Sequence, residues 1–205
     1  MTFQKFIFLL LTSFFFLHVA AQKQLADELK YYYRVSPFNA SFSSFTRALN
    51  NDPELLNRKE TKKTDTTGYF LRGDYKIFNP FSINANKVEV VFAEHSTGDT
   101  GSGKTIYTYQ TLAYFDDTEA NRKTVLKNYN KIKKRLKRYI PKENILSLKN
   151  VNNIEDGEII NFYFNYSNYY PVTISWQTLT KSKQIALTII TKLSVVKNYV
   201  YVSGY

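Results

Sequence analysis

Apolar residues recur along this chain first at helical and then at alternating spacing. Leu25, Leu29 and Tyr32 fall at i, i+4 and i+7 and predict a short helix over 22–34. Ser41 suits the N-cap of a second helix with Phe42, Phe45 and Leu49 on one face. Asp52-Pro53-Glu54 reads as a further helix start, with Pro53 at its first position. Alternation begins at Tyr69: Tyr69, Leu71, Tyr75 and Ile77 point one way, Arg72, Asp74 and Lys76 the other. Strands are predicted at 88–92 and 106–115, then a long amphipathic helix over 118–140, then strands at 159–166, 172–179 and 185–193. Val172, Ile174 and Trp176 share a face, and Lys181-Ser182-Lys183 is a polar turn closing a hairpin.

The coarse order is α-βββ-α-βββ. It predicts an α+β fold of antiparallel sheet with packed helices and lacks the βαβ rhythm of nucleotide-binding domains. Two stretches of similar length and order, near 40–115 and 117–197, share this outline without a residue-level repeat. No Pro/Ser-rich linker separates them, so residues 22–205 are expected to form one α+β domain.

Ahead of this pattern lies a different one. Lys5 gives a basic start, Phe6 to Leu17 form an apolar run of 12 residues, and His18-Val19-Ala20-Ala21 supplies small residues at −3 and −1. Residues 1–21 are therefore expected to be a Sec signal peptide cleaved before Gln22. A membrane anchor needs about 20 apolar residues, and Thr12, Ser13 and His18 interrupt this run. The expected location is the periplasm or the extracellular space, with no transmembrane helix after cleavage. With no cysteine, the chain has neither lipobox acylation nor disulfides, so an ordinary core must stabilise it.

Charge sharpens the picture more than composition does. The abundance of Phe, Tyr, Ile, Asn and Lys is explained by AT-rich coding as readily as by function. The net charge is +11, and loss of Lys5 leaves 27 bases against 17 acids, or +10. Residues 111–150 hold 11 bases and 4 acids, an excess of +7, so the charge is concentrated. Within the long helix Val125, Tyr129, Ile132, Leu136 and Tyr139/Ile140 form an apolar stripe. At 100° per residue, Lys123, Lys127, Lys131, Lys134 and Arg138 cluster opposite it. Pro141 stops the helix, and the late cations suit its negative end. Such a face is either merely solvated or a site for polyanions: anionic lipid headgroups or another anionic envelope component, acidic polysaccharide, or extracellular DNA.

Other strings fit their motifs poorly. Gly98 to Thr105 matches the P-loop pattern, but the β-branched and aromatic run after it predicts a strand where the motif needs a helix. It is expected to be a hairpin loop, and no nucleotide or other cofactor is expected. Arg72-Gly73-Asp74 resembles an integrin-binding tripeptide yet lies inside an alternating strand, where Gly73 marks a bulge or close approach. His95 is the sole histidine after cleavage, too few for a zinc site, so no metal is expected. The acidic groups Asp116/Asp117 and Glu155/Asp156/Glu158 have structural readings, at a helix N-cap and at a turn around Gly157. The stretch Asn161 to Tyr170 packs six aromatics into ten residues and reads as a strand with one Tyr/Asn face.

The expected function is that of an exported, non-enzymatic binding or surface-interaction protein, with the basic helix as its contact. Two alternatives are a small envelope hydrolase using a carboxylate pair or His95, and an inhibitor-like interaction module.

Overall fold

The structure, a computed structural model, describes residues 23–38, 40–64, 68–81, 83–95, 105–140, 142–163, 171–196 and 198–202. A helix over 23–29 (α1) runs into a 3-10 turn, Lys30–Tyr32. Helix α2 (Phe42–Asn50) precedes strands β1 (Leu55–Thr61), β2 (Phe70–Tyr75), β3 (Lys87–His95) and β4 (Thr105–Asp116). Helix α3 (Glu119–Leu136) precedes β5 (Lys142–Val151), β6 (Ile154–Tyr163), β7 (Val172–Leu179) and β8 (Gln184–Val196), and β9 is Tyr199–Val202.

Antiparallel strands dominate, as the mixed outline implied, but the strand count per half differs. The sheet runs β1-β2-β3-β4-β8-β7-β6-β5, with β9 on β8. Four strands, not three, follow α2 and five follow α3, because β1 and β5 occupy the two outer edges and the short β9 adds to β8. The join is β4 with β8, paired without interruption from Thr105↔Val195 to Asp116↔Gln184.

One sheet face carries the helices. In β4, Tyr107, Tyr109, Ala113 and Phe115 are buried while the intervening side chains stay half exposed. Helix α2 meets that face through Phe45, whose ring stands edge-on to Phe92 and Tyr109 at 5.2 and 5.4 Å. Tyr33 stacks on Tyr109 at 4.2 Å, and its hydroxyl lies 2.6 Å from Thr191 Oγ1. Under α3 the core turns aliphatic: Val125, Ile132 and Leu136 are buried along with Ile160, Ile174, Leu187 and Ile189. Among the described residues no helix lies over the opposite face.

Several expectations need correction. Asp52-Pro53-Glu54 starts no helix: Asp52 Oδ1 accepts the Glu54 N–H at 3.1 Å, and the turn drops straight into β1. A side chain that accepts a nearby N–H serves turns as well as N-caps. Ile77 lies beyond β2 and is 73 % exposed, so it leaves the alternating face. Gly157 sits inside β6 rather than in a turn. A Cβ there would lie 2.7 Å from the Trp176 carbonyl oxygen, so only glycine fits the strand crossing. Gly73 likewise marks a close approach, 2.7 Å from Leu55 Cδ1. The expected signal peptide (1–21), Pro141 and the aromatic residues 164–170 lie outside the described residues.

Candidate functional site: the cationic ridge of helix α3

Helix α3 begins where sequence chemistry asks. Thr118 is the N-cap, accepting the Asn121 N–H at 3.2 Å, and Glu119 is the acid of the first turn. Asp117 does not cap. Its two oxygens take a bidentate bond from Arg122, at 2.6 and 2.7 Å, and that bond holds the carboxyl below its usual range. The helix closes with Lys133, Lys134 and Arg135 in its last turn, and the Lys137 N–H donates to Lys133 O. Its stripe of Val125, Tyr129, Ile132 and Leu136 is buried against β7 and β8. The Tyr129 hydroxyl donates to Glu158 Oε1 at 2.8 Å; burial and that bond push its pKa well up.

The cations divide into two sets. Those flanking the apolar stripe are tied to acids on neighbouring elements. Arg122 meets Asp117 and Glu155, Lys133 lies 4.0 Å from Glu158, Arg135 3.5 Å from Glu28, and Lys137 2.7 Å from Glu143. These pairs connect α3 to β5, β6 and α1.

The five residues expected to bind polyanions form the other set. Lys123, Lys127, Lys131 and Lys134 are exposed on the outer side of the helix. Helix α3 ends at Leu136 rather than at 140, the chain tightening into i→i−3 bonds, so Arg138 is exposed in the turn just beyond it. Lys123 pairs with Glu119 at 2.7 Å, but both side chains are more than three-quarters exposed, so that bond is weak and screened. Among the described residues no carboxylate pairs with Lys127, Lys131, Lys134 or Arg138. From Lys123 to Lys134 the ridge spans roughly 16 Å at 1.5 Å per residue. A shallow depression between Lys131, Arg135, Asn128 and the Pro80-Phe81 segment borders it. Sequence periodicity did not signal that neighbour, because it depends on where the β2–β3 connection crosses the helix.

The ridge costs stability. Like charges at i,i+3 and i,i+4 destabilise a helix by about 0.2–0.5 kcal/mol per pair. Lys123/Lys127, Lys127/Lys131 and Lys131/Lys134 are three such neighbours within α3. The sum is roughly 0.6–1.5 kcal/mol, only partly offset by cations near the helix C-terminus.

No protein-family model, curated protein or solved structure matches this chain. Function therefore has to be argued from its own residues.

The remaining candidates are held in structural bonds. Asp116 Oδ1 accepts from Asn86 Nδ2 at 2.6 Å, and Asp156 Oδ1 accepts its neighbour's N–H from Gly157 at 3.0 Å. Glu158 is occupied by Tyr129, and Glu155 faces Arg122. Arg72 and Asp74 project from β2 into a charge cluster with Glu89 and Lys87, at 2.8 and 3.0 Å. The tripeptide thus lies in a strand and not at a loop tip. The backbone of His95 ends β3 opposite Ile106. Gly98 to Lys104 lie outside the described residues. From Thr105 the chain runs as the strand β4, so the helix a P-loop requires at that point is not there. Among the described residues no group of three His, Asp or Glu side chains could hold a metal ion. Among them, too, no helix is long and apolar enough to cross a membrane.

Proposed function

We propose that this chain is an exported, non-enzymatic binding protein whose α3 ridge holds an anionic envelope polymer or acidic polysaccharide. Export rests on the leader-like residues 1–21. The observation that carries the binding reading is the division of the α3 cations. Flanking cations have acidic partners that explain them, whereas Lys127, Lys131, Lys134 and Arg138 are exposed and unpaired among the described residues. A linear polyanion lying along the helix would neutralise four like charges whose mutual repulsion the fold otherwise bears. Contact with this ridge is electrostatic, because the apolar stripe of α3 is buried against the sheet and unavailable for insertion into lipid.

Retention on immobilised heparin tests the reading. Wild-type chain should elute only at raised salt, and K127E/K134E/R138E should pass through with the void. Unchanged elution of that variant would end the proposal. Anionic vesicles run in parallel distinguish a polymer from a headgroup surface. Retention confined to vesicles would replace the polymer by lipid.

A further inference from the structure

We propose that β5 is a self-pairing edge through which two copies of this chain join their sheets into one, and this rests on the sheet edges, not on the polyanion reading. The two ends of the sheet differ. At β1 the register with β2 breaks between Leu56 and Lys59, Asn57 has a φ of 51°, and Arg58-Lys59-Glu60 are exposed charges. A bulge and charges are how natural sheets block edge pairing. Strand β5 has its positive φ at Asn150 (54°) and its charges at Lys142, Glu143 and Lys149, near its two ends, which leaves its middle without these defences. Its register with β6 is unbroken from Lys142↔Tyr163 to Lys149↔Asp156, and Ile145-Leu146-Ser147-Leu148 carries no charge and no proline. Ile145 and Leu146 are 43 % and 46 % exposed, one on each face of the sheet.

The sequence of β5 also selects its own complement. A two-fold axis perpendicular to the sheet keeps each face continuous, so partners must share a face. With Leu146 on the axis, Leu146 meets its own copy, Ile145 meets Ser147, and Glu143 meets Lys149 twice. Glu143 and Lys149 both project on the helix-bearing face, opposite Phe162 and Asp156 of β6. Glu143 is held by Lys137 at 2.7 Å through one oxygen and its Oε2 is buried, so the side chain must turn outward for the partner's Lys149 to reach it. Moving the axis to Ile145 or Ser147 sets Glu143 against Ser147 or Val151 and loses both ion pairs. Charge complementarity therefore favours one register.

Such a dimer sets both α3 helices on the same face. Helix α3 lies over β7 and β8, so at about 4.8 Å per strand the two ridges stand roughly 25–30 Å apart. That is several Debye lengths at physiological salt, where the Debye length is about 8 Å, so their repulsion does not prevent pairing. Two ridges on one face would also engage one long polymer at two points.

Sedimentation equilibrium of the purified chain from about 1 μM to about 1 mM covers the range expected for a single strand-to-strand contact. The average mass should rise toward twice the chain mass, and amide exchange in β5 should slow as concentration rises. L146K places two lysines on the axis at an already exposed site and should raise the dimer Kd at least tenfold. K149E should weaken pairing, and E143K/K149E should recover it relative to K149E. A monomer at all concentrations with unchanged β5 exchange would overturn the proposal. So would L146K pairing as tightly as wild type.

Discussion

Helices α2 and α3 hold similar places, each ahead of four strands of the sheet's main path and covering the same sheet face, yet their surfaces have little in common. Helix α2 is nine residues long with Arg47 as its one charge, and it packs with rings: Phe42 and Phe45 on Phe92, Tyr107 and Tyr109. Helix α3 is 18 residues long, packs through Val125, Tyr129, Ile132 and Leu136 and carries seven bases against Glu119. The short helix shows that covering this sheet demands no cationic face. What the fold requires of α3 is its buried stripe and its flanking ion pairs. The outer ridge is surplus to that requirement and costs stability.

The largest expected effect tests the first half of this contrast. Phe92 contacts Phe42, Phe45, Tyr69, Tyr107 and Tyr109 and is fully buried. F92A should lower stability in urea unfolding by about 3–5 kcal/mol. Under α3, I132V should cost about 0.5–1.5 kcal/mol, since the aliphatic packing loses one methylene. A loss for F92A no larger than that for I132V would show that Phe92 is not the centre of the first half's packing.

Next in size is the close approach of β6 and β7 at Gly157, where their register shifts. G157A brings a Cβ within 2.7 Å of a backbone oxygen, whereas at Gly73 the same distance is to the end of a leucine side chain. Overpacking against backbone should cost about 1–3 kcal/mol, and G73A less, because its nearest backbone atom, Leu56 O, is 3.0 Å away. The order of the two melting temperatures is the readout.

Burial decides how much of this was visible in the residues. Ser41 and Thr118 cap their helices, and Leu25, Leu29, Val125, Tyr129 and Ile132 are buried as their spacing implied. The ridge residues were found because 3.6-residue periodicity places them unambiguously. Strands β1 and β5 were missed for one shared reason. Both are edges whose side chains are mostly exposed, so they lack the alternation by which a half-buried strand is recognised. One signal did exist for β5. Asn152-Asn153 between Val151 and Ile154 suits a two-residue hairpin loop, and both have positive φ, 48° and 67°. Which cations find an acid could not be seen in sequence, because Glu28, Glu143 and Glu158 come from three different elements whose packing on α3 the periodicity does not set.

Smaller effects address the ridge itself. T118A should remove about 1 kcal/mol by losing the α3 cap. K127Q/K131Q should do the reverse, raising stability by about 0.5–1 kcal/mol as three like-charge neighbours disappear. A loss of stability in that double variant would mean that the ridge has structural partners after all.

The smallest effect is acid dependence at the start of α3. The Arg122 bond depresses the folded pKa of Asp117, so its stabilisation is complete above the unfolded value of about 3.9. It is lost as pH falls through the lower folded value. R122Q should flatten that acid limb in pH-dependent unfolding while leaving neutral-pH binding of heparin intact.

The most direct test of the ridge is the slope of log affinity for heparin against log salt concentration. Two charge-matched variants should be set beside wild type: K127Q/K131Q/K134Q on α3 and K59Q/K62Q/K76Q, exposed lysines of the first half. Each removes three charges, so net charge alone cannot separate them. The α3 variant should lose most of the affinity and flatten the slope by about two to three counterions, while the first-half variant stays near wild type. Equal slopes for the two variants would contradict a ridge-specific site and leave only the general charge of the chain.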